Sequence, residues 1–249
     1  MILYGRNPVA EALRGRRADT VKEAWASAGA LRERWLAQAR ASGLRVHDAS
    51  APEIEARCGS AAHQGVCAQA GPYPYASAAE LLGAPEALIL ALDQVQDPQN
   101  LGSICRTAEC AGAAGVVIAE RRAAEVTPAV CKASAGAVEH LPVAQVRNIA
   151  DFLTDARAAG LWCYGASAHA RPGESPAVPY DAPDYRGSGV VLVLGGEAKG
   201  LRPRVAGACD QLIRLPLRGR SESLGVAAAA AALVYGILQL REAGVDKAP

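Results

Sequence analysis

Apolar positions along the chain fall into two regimes. Over the first seventy residues, short apolar runs alternate with helix-spaced ones. They predict helices at residues 9–13, 30–42 and 53–58, and strands at 21–26, 44–47 and 64–70. In the longest of these helices Leu31, Trp35, Leu36 and Ala39 share one face. Pro72, Pro74 and Pro85 then bracket a weakly patterned stretch, which predicts a linker at 71–85. From residue 86 to 249 the alternation is more regular. Strands are predicted at 87–92, 116–118, 161–165, 189–194 and 212–215, and helices at 101–113, 127–135, 149–159 and 224–241. Continuous apolar strands alternating with helices imply a largely parallel sheet covered on both faces. The expectation is an α/β protein with a small domain over 1–70 and a larger one over 86–249.

Composition adds less than pattern. A 51% hydrophobic and 20% charged chain reads as a globular protein. No apolar run has the length of a membrane span; the alanine-rich segment at 226–240 comes nearest. The first residues show no charged segment followed by an apolar one, so no signal peptide and no membrane association are expected, and the location expected is cytoplasmic. The cysteines number seven, without a CxxC pair, and read as small buried thiols in a reducing compartment. His47, His63, His140 and His169 are scattered without metal-ligand spacing, so no metal site is expected. The net charge of +1 does not itself point to nucleic acid. Arginines cluster locally at 14, 16 and 17, at 121 and 122, at 202 and 204, and at 218 and 220. Compositional bias and phosphate contact both explain such clusters.

Three segments place polar or glycine residues just after a buried strand, where ligands bind in open α/β sheets. The first runs from Asp93 through Asn100-Leu101-Gly102-Ser103-Ile104-Cys105-Arg106. A capping Asn and a solvated Arg would also explain it. The second is Leu194-Gly195-Gly196-Glu197-Ala198-Lys199-Gly200, where an ordinary strand-to-helix turn is the simpler reading. It carries neither a dinucleotide fingerprint nor a Walker motif, which argues against a small-molecule enzyme of the nucleotide-binding class. The third is Leu215-Pro216-Leu217-Arg218-Gly219-Arg220-Ser221-Glu222-Ser223-Leu224-Gly225, where Ser221 or Ser223 would cap the last helix.

In order and spacing these segments resemble the three motifs of the SpoU (TrmH) family of RNA 2′-O-methyltransferases, over the chain from about residue 87 to its end. Tyr4-Gly5-Arg6-Asn7-Pro8, His63-Gln64-Gly65-Val66 and Lys132-Ala133-Ser134-Ala135-Gly136 through His140 are similar to the subgroup acting on guanosine in 23S ribosomal RNA. The resemblance implies a trefoil-knotted (SPOUT) parallel-sheet catalytic domain, an N-terminal L30e-like domain that binds the RNA substrate, and a homodimer. It implies S-adenosylmethionine as cofactor, held by Gly195, Leu215, Leu217 and Leu224, and 23S ribosomal RNA or a ribosome assembly intermediate as partner. Transfer RNA is the alternative substrate. The implied catalytic residues are Asn100, Arg106, Glu197 and Ser223. A guanidinium keeps its proton, so Arg106 is read as a grip on phosphate beside the target ribose rather than as a base. Asn100 is read as ordering its own turn and Arg106, Glu197 as ordering the second motif or the RNA-facing loop, and Ser223 as a cap of the last helix near the cofactor. One position departs from the family: the usual Ser-Leu-Asn reads Ser223-Leu224-Gly225. The missing amide predicts weakened activity, partly recovered in Gly225→Asn, and leaves a turnover-deficient RNA-binding protein as the competing reading.

Overall fold

The structure, a computed structural model, describes residues 1–84, 86–168, 176–197, 199–221 and 223–243. Pro85, His169, Ala198 and Glu222, named above, lie outside the described residues. By their contacts the residues form two units. The first is Met1–Pro74 with Val126–His140; the second is Tyr75–Glu125 with the described residues from Leu141 onward.

The first unit contains β1 (Ile2–Tyr4), β2 (Glu23–Ala26), β3 (Arg45–Asp48) and β4 (Val66–Gln69). They form one sheet in the order β1-β4-β2-β3, with β4 antiparallel to both neighbours and β3 parallel to β2. The helices are α1 (Arg6–Ala12), α2 (Arg34–Ala41) and α3 (Ala51–Cys58). Buried Trp25, Ala49, Ile54 and Cys67 make a core cluster between α3 and the sheet. The helix expected over 30–42 is interrupted at Glu33, whose extended backbone (ψ 128°) splits it into a 3-10 turn and α2. The strand expected from residue 64 begins at Val66, because Gln64 and Gly65 have φ of 54° and 80° and cannot enter a ladder.

The segment Val126–His140 joins this unit although it lies inside the span expected for the larger domain. Its anchor is an ion pair sealed from solvent. Arg17 and Glu139 are 2% and 0% exposed, with Nη2–Oε1 at 2.5 Å and Nε–Oε2 at 2.8 Å. Arg17 also donates to the carbonyl of Gly71 at 3.2 Å, and Tyr73 donates its hydroxyl to the carbonyl of Val138 at 3.0 Å. Burial alone would push the guanidinium down, but the Glu139 carboxylate more than offsets this and holds Arg17 above its ordinary range. Removing one partner of such a pair strands the other charge, at about 3–5 kcal/mol.

The second unit is built on seven strands, all parallel, in the order β7-β6-β5-β10-β8-β11-β9. They are β5 (Leu88–Asp93), β6 (Gly115–Ala119), β7 (Val143–Val146), β8 (Trp162–Ala166), β9 (Val178–Pro179), β10 (Val190–Gly195) and β11 (Gln211–Arg214). Central β5 and β10 bury nearly every residue, as strands covered on both faces must. One face carries α4 (Ala78–Leu82), α7 (Ile149–Ala158) and α8 (Pro203–Ala206), which bury Leu81, Phe152, Leu153 and Val205 against Ile89, Val117, Val191 and Val193. The other carries α5 (Pro98–Cys110) and α9 (Val226–Glu242), packed on each other. After β11 has left β10 by way of β8, α9 returns to β10 and α5; the expected knot depends on this crossing. The stretch expected as a linker contains α4, capped by Ser77, whose hydroxyl accepts from the Ala79 N–H at 3.3 Å. The remaining helix, α6 (Pro128–Ala133), belongs to the first unit and is capped by Thr127.

Candidate active site

The site begins at the carboxyl ends of β5 and β10. Gly195 is in register with Asp93, and the Gly196 N–H donates to the Asp93 carbonyl at 2.8 Å. The chain then folds back, and the Gly200 N–H donates to the Gly196 carbonyl at 3.0 Å. A Cβ on Gly195 would lie 2.1 Å from the Gly200 carbonyl carbon, and one on Gly196 would lie 2.3 Å from the Gln94 oxygen. Both glycines are therefore required by the chain's approach to itself.

Asp93, whose side chain is fully buried, secures this turn. Its carboxylate accepts from the backbone N–H of Arg202 at 2.8 Å and from Nε of the same residue at 2.7 Å, and Nη2 completes the ion pair at 2.7 Å. Sequence reasoning gave Asp93 and Arg202 no role. The available signal was an acid ending an otherwise apolar strand, which a fold tolerates only when a partner is supplied.

Asn100 does not cap α5. Asp97 does, accepting from the Gln99 N–H at 2.8 Å, with Pro98 in the first turn. Asn100 is the third helical residue, and its Nδ2 donates to Glu197 Oε1 at 2.7 Å. The first and second motifs are thus joined by a side-chain bond across 97 positions of sequence. Arg106 lies on the exposed stripe of α5 with Gln99, Ser103 and Cys110. It is not brought to the Asn100–Glu197 pair.

Next to this pair is a cavity of about 580 Å³, a volume typical of small-molecule sites. Gly195, Leu215, Leu217 and Leu224 all line it, as do Glu197 and Ser223; Asn100 and Arg106 do not. Ser167, at the end of β8, and Arg214, the last residue of β11, also line it and were not anticipated. The lining mixes leucine side chains with backbone at the glycine turn. It suits a ligand having an apolar flat face and several polar edges, and S-adenosylmethionine is such a ligand.

The third motif corrects two expectations. Ser223 does not cap α9: the N-cap is Gly225, with no side-chain cap bond. Gly225 has φ 78° and ψ 148°, a backbone region that essentially only glycine occupies. A Cβ there would meet nothing within 4 Å, so an asparagine has room but no unstrained backbone. The glycine therefore sets the path into α9, and recovery of activity in Gly225→Asn is no longer expected.

Cys67, Cys105, Cys131 and Cys163 are buried, while Cys58 and Cys209 are half-buried. Cys209, whose sulfur packs at Gly165, is pushed up to about 12 by burial, and Cys163 likewise to about 12. Among the described residues Cys110 is the exposed cysteine.

Residues 87–235 match the SpoU rRNA Methylase family, and residues 2–76 match a domain described as RNA 2′-O ribose methyltransferase substrate binding. The chain is 38% identical over 247 residues to the 23S rRNA (guanosine-2′-O-)-methyltransferase RlmB of Xanthomonas axonopodis pv. citri (strain 306), covering 96% of each. It is 35% identical over 245 residues to an uncharacterized tRNA/rRNA methyltransferase of Mycobacterium avium (strain 104), covering 96% of this chain and 77% of that one. Among solved structures, the AdoMet-bound rRNA methyltransferase of Sinorhizobium meliloti aligns with a TM-score of 0.79 at 27% identity, covering 96% of this chain and 86% of that one. Matched in both of its sequence segments and alike over nearly its whole length to such relatives, the chain belongs to the SpoU rRNA methylase family.

Proposed function

We propose that this protein transfers a methyl group from S-adenosylmethionine to the ribose 2′-hydroxyl of a guanosine in 23S ribosomal RNA. One observation carries the reading: residues of the second and third motifs line a single cavity, and the first motif is tied to its rim by the Asn100–Glu197 bond. When bound, the cofactor supplies a methyl group on a sulfonium, an electrophile that needs orientation more than activation. Leu215, Leu217 and Leu224 hold the apolar part of the ligand and keep water from it. Glu197, fixed by Asn100, orders the rim. Ser223 sits at the mouth of the cavity as a polar contact. Arg106, permanently cationic and outward on α5, grips the phosphate beside the target ribose and lowers the cost of the developing alkoxide.

The first unit presents the RNA, and the second carries the chemistry. The protein works as a homodimer, a reading supported by half-exposed Tyr235 on α9. No described helix is long and apolar enough to cross a membrane. A ribosomal substrate, free or in an assembly intermediate, places the work in the cytoplasm. The test is methyl transfer to unmodified 23S ribosomal RNA transcript, followed by mapping of ribose methylation. A single 2′-O-methylguanosine is expected. Methylation of transfer RNA with none in the 23S transcript would overturn the substrate assignment.

A further inference from the structure

Three sequence motifs remain without a role in the cavity: residues 4–13, 63–66 and 132–140. Within the first unit the fold brings them together. Gly5, buried and at φ 98°, faces Lys132, so that a Cβ on it would lie 2.6 Å from Lys132 Nζ and 3.2 Å from Gln64 Oε1. Gln64 takes a left-handed backbone (φ 54°); its Oε1 accepts from the Arg6 N–H at 3.1 Å and its carbonyl from Arg6 Nε at 3.4 Å. Gly136, at φ 88°, lets its segment close on α1, where a Cβ would meet that of Glu11 at 2.8 Å. His140 Nε2 and Glu11 Oε2 are 2.8 Å apart, and the sealed Arg17–Glu139 pair lies in the same segment.

Three arginines at these segments have carboxylate partners. Arg6 has Glu33 at 2.7 Å, Arg14 has Glu11 at 3.1 Å, and Arg17 has Glu139. Lys132 has no acidic partner among the described residues, and none of them accepts a hydrogen bond from its ammonium. Partial burial pushes its pKa down with no neighbouring carboxylate to oppose this. The fold thus holds a half-buried ammonium over a glycine backbone and a fixed amide, and leaves its hydrogen-bonding capacity unused. A charge held at that cost is complemented by an anion from outside, and an ammonium acts towards phosphate as a point charge.

We propose that Lys132, on the floor made by Gly5 and Gln64, is a contact for a backbone phosphate of the substrate RNA. The proposal rests on the reading that the substrate is RNA, and it places a phosphate subsite on the first unit, whereas the methyl-transfer motifs belong to the second. Because the contact is to backbone and not to base, it positions the RNA without selecting its sequence.

The test uses the full chain, unmodified 23S ribosomal RNA transcript and a series of potassium chloride concentrations. Binding is measured for the wild type, Lys132→Met, Lys132→Arg and Lys22→Met. Loss of one phosphate contact makes the slope of log affinity against log salt shallower by about 0.7. Lys132→Met should show that change, while Lys132→Arg and Lys22→Met keep the wild-type slope. An unchanged slope in Lys132→Met overturns the proposal. Should Lys132→Met fail to fold, amine acetylation of the wild type decides: RNA should protect Lys132 but not Lys22, and equal modification of both overturns the proposal. Methyl transfer by the wild type to the same transcript is followed in parallel. RNA binding that depends on Lys132 without any methyl transfer sinks the methyltransferase reading and leaves the subsite standing; methylation with an unchanged slope sinks only the subsite.

Discussion

The two walls of the cavity are built differently. The wall from the second motif is locked: Gly195 and Gly196 touch backbone where no side chain fits, and the buried Asp93 carboxylate holds Arg202 by two hydrogen bonds and an ion pair. The wall from the third motif is open. Leu224 is 53% exposed, Ser223 is exposed, and α9 starts at a glycine without a side-chain cap. Locked geometry suits the side that must hold the Asn100–Glu197 bond in register, because an error there displaces the first motif. An open wall suits ligand entry, since apolar side chains left in water gain burial when a ligand arrives. The difference suggests that reaction geometry is set by the second motif and cofactor affinity largely by the third.

Breaking the locked wall should have the largest effect. In Gly195→Ala the new methyl overlaps the Gly200 carbonyl carbon at 2.1 Å, and something in the turn must move. Destabilisation of at least about 3 kcal/mol is expected, with loss of cofactor binding, read by thermal melting and calorimetry. A Gly195→Ala protein that melts and binds like the wild type would show the wall to be pliable. Arg202→Ala comes next. It leaves the Asp93 carboxylate buried without its partner, for a loss of about 3 kcal/mol in a denaturant titration. A double-mutant cycle with Asp93→Asn should show strong coupling, and additive losses would mean that the pair is not the anchor.

Smaller effects sharpen the division of labour. Arg106→Lys keeps the charge but loses the fork, and kcat should fall roughly 10- to 100-fold while cofactor affinity holds. Near-normal turnover would count against a bidentate phosphate grip. In the open wall, Gly225→Asn forces a side chain onto φ 78°, ψ 148°, at about 1 kcal/mol or more. Cofactor affinity should weaken a few-fold with no gain in methyl transfer; a rise in turnover would restore the view that the missing amide limits this enzyme.

Much of the architecture was legible where one element obeys one rule. The apolar runs of β5 and β10 and the helical spacing of α7 announced themselves, and the cavity gathers all four residues expected to hold the cofactor. Short elements were not legible: β1, β7 and α4 gain their identity from neighbours rather than from their own pattern. The cap was misread at Ser223, and the capping alternative fails at Asn100, because a polar residue near a helix start looks the same whether it binds the backbone or another segment. The attachment of Val126–His140 to the first unit depends on Arg17 meeting Glu139 across 122 positions, which periodicity does not encode. The Asp93–Arg202 clamp was hidden for the same reason.

Hydrogen exchange of the full chain with and without S-adenosylmethionine tests the contrast between the walls most directly. The amides of Gly196 and Gly200 are already bonded to Asp93 and Gly196, so peptides carrying them should exchange slowly in either condition. Peptides carrying Leu217, Ser223 and Leu224 should exchange quickly alone and gain at least about tenfold protection when the cofactor binds. Equal protection of both walls, or a cofactor effect confined to the glycine turn, would contradict the account.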